Sequence, residues 1–203
     1  MGSISRGSNA AGSQRRAQQL IVGSLAAVAL LAGQSKLAPS AELAVPPAIQ
    51  AALTVKILEY DRSLKSWAGS GLTVGIITRA GGPSAAEFSQ ALAGRDAQGV
   101  PFKSVEHAYR DVDSLVRWIE GNGVKLAYLS PELSAEGTTA ILSALAARKL
   151  PSLTVTRSQF QSGAALGIVA KEGKPHILVG LAAAKAAGMD LDPKLLQLAE
   201  VVR

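Results

Sequence analysis

A chain of 203 residues with no cysteine, 48% hydrophobic and only 4% aromatic, has no disulfide to lean on and must draw its stability from an apolar core. Its formal net charge of +6 falls to +2 once Arg6, Arg15, Arg16 and Lys36, the four basic residues among the first 40, are set aside. A near-neutral remainder with few stacking rings lacks the Lys/Arg footprint of a nucleic-acid binder, and no nucleic acid is expected as a partner.

The first element is a polar leader carrying Arg6, Arg15 and Arg16, then an apolar run from Leu20 to Ala32, then small residues to Ser40. That order is the pattern of a secretory signal. The run is shorter than the roughly 20 residues that span a bilayer, so a cleaved signal is expected over 1–40 and a single exported domain over 41–203. The expected cut follows Ser40, with Gly33 as the other option. Arg15-Arg16 raises twin-arginine export, although Ala17-Gln18-Gln19 stand where that signal carries an apolar residue. Leu30-Leu31-Ala32-Gly33 has the form of a lipoprotein box but is followed by Gln34, so no lipid anchor is expected there.

Between Ala44 and Leu64, Ile49, Leu53, Ile57 and Leu64 recur at helical spacing behind Pro46-Pro47, predicting a helix that ends near Tyr60. Leu72–Thr78 is a β-branched run typical of a strand buried on both faces. Ser84-Ala85-Ala86-Glu87 has the form of a capping box and predicts a helix to about Leu92. A strand over 100–105, a helix after Asp111 closed by Gly121, a strand over 124–129, a helix over 138–148 and a short strand over 153–156 follow. The apolar runs 164–170 and 176–179, joined by Lys171-Glu172-Gly173-Lys174-Pro175, predict a hairpin. An Ala-rich helix over 181–187 comes next. A last helix opens on Asp192-Pro193, with Leu195, Leu198, Ala199 and Val202 as its apolar face. The fold expected is α/β: a mostly parallel sheet flanked by helices on both faces, with an antiparallel C-terminal hairpin.

No catalytic constellation is assembled by these elements. His107 and His176 have no third ligand at metal spacing, so no metal is expected; His107 reads as exposed beside Glu106 and His176 as a sheet residue. Gly82-Pro83-Ser84 follows a strand too loosely for a nucleophile elbow, Gly167–Lys174 lacks the hydroxyl residue of a phosphate loop, and Gly69-Ser70-Gly71 precedes a strand instead of following one. No cofactor is expected. A ligand pocket would lie where parallel strands end and loops converge. Those loops carry Arg79, Gly81 and Gly82, then Ser130 and Glu132, then Arg157, Ser158 and Gln159, with the two arginines as the first choice for an anionic ligand.

The C-terminal third runs Thr154-Val155-Thr156, Gly163-Ala164-Ala165-Leu166-Gly167-Ile168-Val169, Glu172-Gly173-Lys174, His176-Ile177-Leu178-Val179, then Ala182–Met189 and Lys194–Ala199. That succession resembles the YfiR/HmsC family of exported bacterial proteins, and the first helix and first strand are compatible with it. The resemblance implies a periplasmic regulator, without catalytic residues, that binds the periplasmic domain of an inner-membrane sensor. The implied partner is a diguanylate cyclase held inactive, restraining cyclic-di-GMP output and biofilm formation, or another sensor such as a histidine kinase. Relatives often carry an aromatic-Trp-Pro stretch where this chain has Tyr60-Asp61-Arg62, some have disulfides, and many have Asn in place of Gly180. An exposed apolar face on the first or last helix would support a homodimer. The other function class left open is a small-ligand binding module built on the strand-end loops.

Overall fold

The computed structural model describes residues 44–79 and 83–202. The expected signal and its cleavage point lie outside the described residues, as do Gly81 and Gly82; the side chains of Pro83 and Ser84 do too, and with them the capping box. Helix α1 (Pro47–Glu59) opens at the proline pair and stops at Tyr60, as periodicity requires. Then come α2 (Leu64–Ala68), β1 (Leu72–Thr78), α3 (Pro83–Leu92), β2 (Asp96–Ala97), β3 (Val100–Ala108), α4 (Val112–Asn122), β4 (Leu126–Leu129) and α5 (Ala135–Ala147). The chain continues through β5 (Ser152–Thr154), α6 (Arg157–Gln161), β6 (Leu166–Lys171), β7 (Lys174–Gly180), α7 (Leu181–Ala186), α8 (Pro193–Leu198) and β8 (Glu200–Val202). Among the described residues, no helix is long and apolar enough to cross a membrane.

The strands form one sheet in the order β2-β3-β1-β4-β5-β6-β7-β8. β3, β1, β4, β5 and β6 run parallel, and the inner strands β1, β4 and β6 are continuous apolar runs because helices cover both their faces, while β3 near the margin, VPFKSVEHA, carries polar and charged residues. One apolar layer joins α1, α2, α3, α7 and α8 to Val74, Ile76, Leu126, Tyr128, Leu166 and Ile168. The other joins α4, α5 and α6 to Ile77, Ala127, Leu129 and Val169. The first layer holds a stacked pair, Phe88 on Tyr128 at 4.0 Å between ring centroids. The Tyr128 hydroxyl donates to Gln50 Oε1 at 2.8 Å, while Gln50 Nε2 donates to the Val45 carbonyl at 2.6 Å, so this buried polar pair is satisfied.

The expected hairpin is β6–β7, closed by a two-residue turn in which Glu172 and Gly173 both take positive φ, 54° and 75°. Two left-handed residues match the twist of the flanking strands, and Gly173 takes that conformation without steric cost. The last helix is shorter than expected. Asp192 caps it, accepting from Lys194 N at 2.8 Å, but Ala199 adopts extended backbone (φ −107°, ψ 154°) and Glu200–Val202 pair in parallel with Leu178–Gly180. Sheet hydrogen bonds here outweigh the helical spacing that had placed Val202 on an apolar face.

Two local departures shape the molecule. His107 is not an exposed loop residue: it lies in β3 opposite Ile77, half-buried, with its ring stacked on Trp118 of α4 at 4.8 Å. Burial lowers its pKa, the Asp111 carboxylate partly opposing and Arg110 adding to the shift. Asp61, just past the end of α1, is fully buried. Its Oδ1 accepts from Ser63 N at 2.9 Å, Ser63 Oγ at 2.7 Å and Asp190 N at 3.0 Å, and its Oδ2 accepts from Trp67 Nε1 at 2.8 Å. Gln98 Nε2 donates to the Asp61 carbonyl at 2.7 Å, and Arg62 N and Asp192 N close backbone bonds to Asp190 O and Tyr60 O. The end of α1 is thereby clasped to the segment between α7 and α8.

Candidate functional site

In the parallel part of the sheet the chain steps from β1 outward to β3, then returns across β1 to β4, so the direction of winding reverses between β1 and β4. At such a reversal the loops beyond the strand ends part and leave a crevice. The two strand ends are tied together: Ser130 N donates to the Ile77 carbonyl at 3.0 Å, and Tyr109 N to the Thr78 carbonyl at 2.7 Å. The Tyr109 ring packs on Gly137 in the first turn of α5, where an added Cβ would meet it at 3.4 Å. Burial raises the Tyr109 pKa, and the Asp111 and Glu136 carboxylates raise it further.

Helix α5 starts at Ser134, whose Oγ accepts from Gly137 N at 3.1 Å; α6 starts at Thr156, whose Oγ1 accepts from Gln159 N at 3.3 Å. Thr138 and Gln159, in the first turns of these helices, are among the residues that line a cavity between the β4–α5 and β5–α6 loops, about 120 Å³ in volume. Pro131, Ala135, Ser158 and Ser162 form its exposed mouth; Leu133, Thr138 and Gln159 are its buried wall. Gln159 Nε2 donates to the Ser130 carbonyl at 2.7 Å, which fixes the amide: reversed, it would set oxygen against oxygen. Its Oε1 is then an acceptor with no partner among the described residues, and the same holds for Thr138 Oγ1 and Ser130 Oγ.

The sequence-predicted residues divide over this region. Ser130 and Ser158 meet around Gln159, Ser130 through its carbonyl and Ser158 on the cavity rim. Arg157, one residue before Ser158, turns the other way. Its Nη1 and Nη2 donate to both carboxylate oxygens of Glu200 in β8 at 2.8 and 3.1 Å, and it lines a second groove of about 350 Å³ with Phe160, Ala183 and Val202. That hydrogen bond holds the Glu200 carboxyl below its ordinary pKa, against the opposing effect of burial. Arg79 is exposed just past β1 and is not among the residues lining either of these two cavities. Gly81 and Gly82 lie outside the described residues. Sequence reasoning read Thr138 only as a helix start. Nothing in its neighbours distinguishes a fully buried threonine from any other first-turn threonine.

Comparison with known proteins places this geometry. No curated protein matches the chain by sequence. Among solved structures, it is similar to a conserved domain protein from Vibrio cholerae O1 biovar El Tor, with a TM-score of 0.57 at 15% identity over 80% of this chain and 61% of that one. It is also similar to an ABC domain in complex with L-Trp from Streptococcus pneumonia, with a TM-score of 0.51 at 11% identity over 72% of this chain and 60% of that one. Identities this low speak for the fold alone, and the part of each solved chain that is matched is about three fifths of its length. Sequence carries the assignment further: from Pro47 at the start of α1 to Glu200 in β8, residues 47–200, nearly the whole described domain, match one family, and the chain belongs to the YfiR/HmsC-like proteins.

Proposed function

We propose that this chain is a periplasmic regulatory domain that binds the periplasmic part of an inner-membrane sensor, and that the sensor is a diguanylate cyclase which it holds inactive. Membership of the YfiR/HmsC-like family carries the reading, because a periplasmic regulatory role is general to that family. The apolar leader of the first 40 residues, read as an export signal, agrees with that location. The exposed apolar residues Leu198 of α8 and Val202 of β8 lie close together in sequence at one edge of the sheet and are the first place to seek the docking surface.

The test is genetic and biochemical. Deletion of the gene raises cellular cyclic-di-GMP, and the exported domain, tagged and crosslinked in intact cells, captures a membrane cyclase. Capture of a histidine kinase with no change in cyclic-di-GMP would replace the cyclase by another sensor. Unchanged cyclic-di-GMP together with no membrane sensor captured overturns the regulatory reading.

A further inference from the structure

The end of β3 meets α4 through two rings. The Trp118 indole lies over β1 where that strand has no side chain, since a Cβ on Gly75 would stand 2.8 Å from Trp118 Cη2. The His107 ring stacks on the same indole, with centroids 4.8 Å apart and planes inclined by 23°. His107 Nε2 is closed to solvent and has no hydrogen-bond partner among the described residues. A neutral imidazole tolerates that position by carrying its proton on Nδ1, which leaves Nε2 a bare acceptor. The imidazolium has no such choice: both nitrogens then carry N–H, so a charged donor is shut in without an acceptor.

The charges around the ring do not rescue that donor. β1, LTVGIIT, is uncharged. Lys103 shares the His107 face of β3, Glu106 lies on the other face, and Arg110 just past the strand repels a cation. The Asp111 carboxylate attracts one, but it caps α4, accepting from Ser114 N at 2.7 Å, and burial of the imidazole outweighs its pull. On α4 the charged Asp113, Arg117 and Glu120 are exposed, and Tyr109, its pKa raised, stays neutral in acid. β3 is held in place, since seven of its residues are in register with β1. Helix α4 is held less firmly: it sits on the sheet through Leu115, Trp118 and Ile119, between the Asp111 cap and Gly123 in left-handed backbone (φ 60°). We propose that His107 is an acid-operated latch: on taking up a proton it frees α4 from the sheet, baring Trp118 and the apolar face of Leu115 and Ile119, while β1 and β3 stay paired. The latch is a property of the domain alone and does not rest on the sensor reading.

The experiment is amide hydrogen exchange of the isotope-labelled protein, read residue by residue by NMR and corrected for the intrinsic rate at each pH. With α4 released, His107 meets water and takes up its proton near the ordinary pH of about 6.5; with α4 seated, burial holds its pKa lower. Release is therefore least above about pH 6.5 and grows as pH falls toward the seated value, at most about tenfold per pH unit for one proton. Between about pH 7.5 and 5.0 the amides of residues 115–119 should lose protection about threefold or more, while those of β1 and of residues 141–145 in α5 keep theirs. The loss should level off where the His107 imidazole itself titrates, followed by NMR in the wild type. His107→Phe keeps a ring against Trp118 and cannot titrate, and His107→Gln is neutral and ringless; the α4 response should vanish in both. A loss under about threefold in the wild type, or a His107 midpoint at or above about 6.5, overturns the proposal whatever the variants do. So does a loss shared equally by β1 and α5, or an α4 response that persists in either folded variant.

Discussion

Replacing Asp61 by alanine removes the buried carboxylate that holds the end of α1 to the segment before α8. Four donors lose one acceptor each: Ser63 N, Ser63 Oγ, Trp67 Nε1 and Asp190 N. Two of them have a second acceptor, since Asp190 N also donates to Ser63 Oγ at 3.0 Å and Ser63 Oγ to the Gly188 carbonyl at 2.8 Å. Two bonds without ready replacement, at about 1.5 kcal/mol each for hydrogen bonds to a charged group, give a loss of about 3 kcal/mol. In a domain of this size that lowers Tm by about 6–12 °C. Asp61→Asn should cost nearly as much: whichever way its amide turns, an N–H faces either Trp67 Nε1 or the Ser63 and Asp190 amides. Urea denaturation followed by far-UV circular dichroism measures the change, and Trp67 fluorescence should shift with the loss of its partner. A loss under about 1 kcal/mol for Asp61→Ala, with an unchanged m-value, would refute the view that this clasp is a main tie between the two segments.

Three further outcomes are expected. Gly180→Ala sets a Cβ against the Ala164 carbonyl, a backbone atom that cannot swing aside; urea melts should show a loss of about 1–3 kcal/mol. His107 has a folded-state pKa lowered by burial, so the unfolded chain takes up its proton first, near pH 6.5. Its contribution to stability is then complete above that pH and declines as pH falls toward the folded value, and denaturant midpoints at descending pH should flatten in His107→Gln. Arg157→Gln should return the Glu200 carboxyl pKa upward toward its ordinary value in a carboxylate NMR titration while changing stability by under about 1 kcal/mol, because the pair is more than a third exposed.

The sheet was legible wherever burial on both faces wrote itself into consecutive residues. Leu72–Thr78 is β1 to the residue, and the hairpin turn at Glu172-Gly173 follows from its polar, glycine-containing sequence. Elements too short for a period left no trace: α2 and α6 are five residues each, and β2 is two. β8 was hidden by a competing signal, because Val202 falls four residues after Leu198 and continues an apparent helical face. At the site, fold topology placed Ser130, Ser158 and Gln159 together in advance. It gave no account of where Arg157 would point, since its partner Glu200 lies 43 residues away on an unexpected strand. The burial of Asp61 was equally invisible, its acceptors being used by residues up to 129 positions distant.

The sheet ends at β2, two residues long, on one side and at β8, three residues long, on the other. An exposed edge with unsatisfied backbone groups invites another chain to add a strand, and brevity is one of the ways proteins deny it that template. Because β2 covers only Val100 and Pro101, β3 is paired on one side alone from Lys103 to Ala108, and the exposed Lys103 and Glu106 there supply the charge that discourages edge-to-edge growth. Any strand added to this sheet would find its longest free register beside those charges.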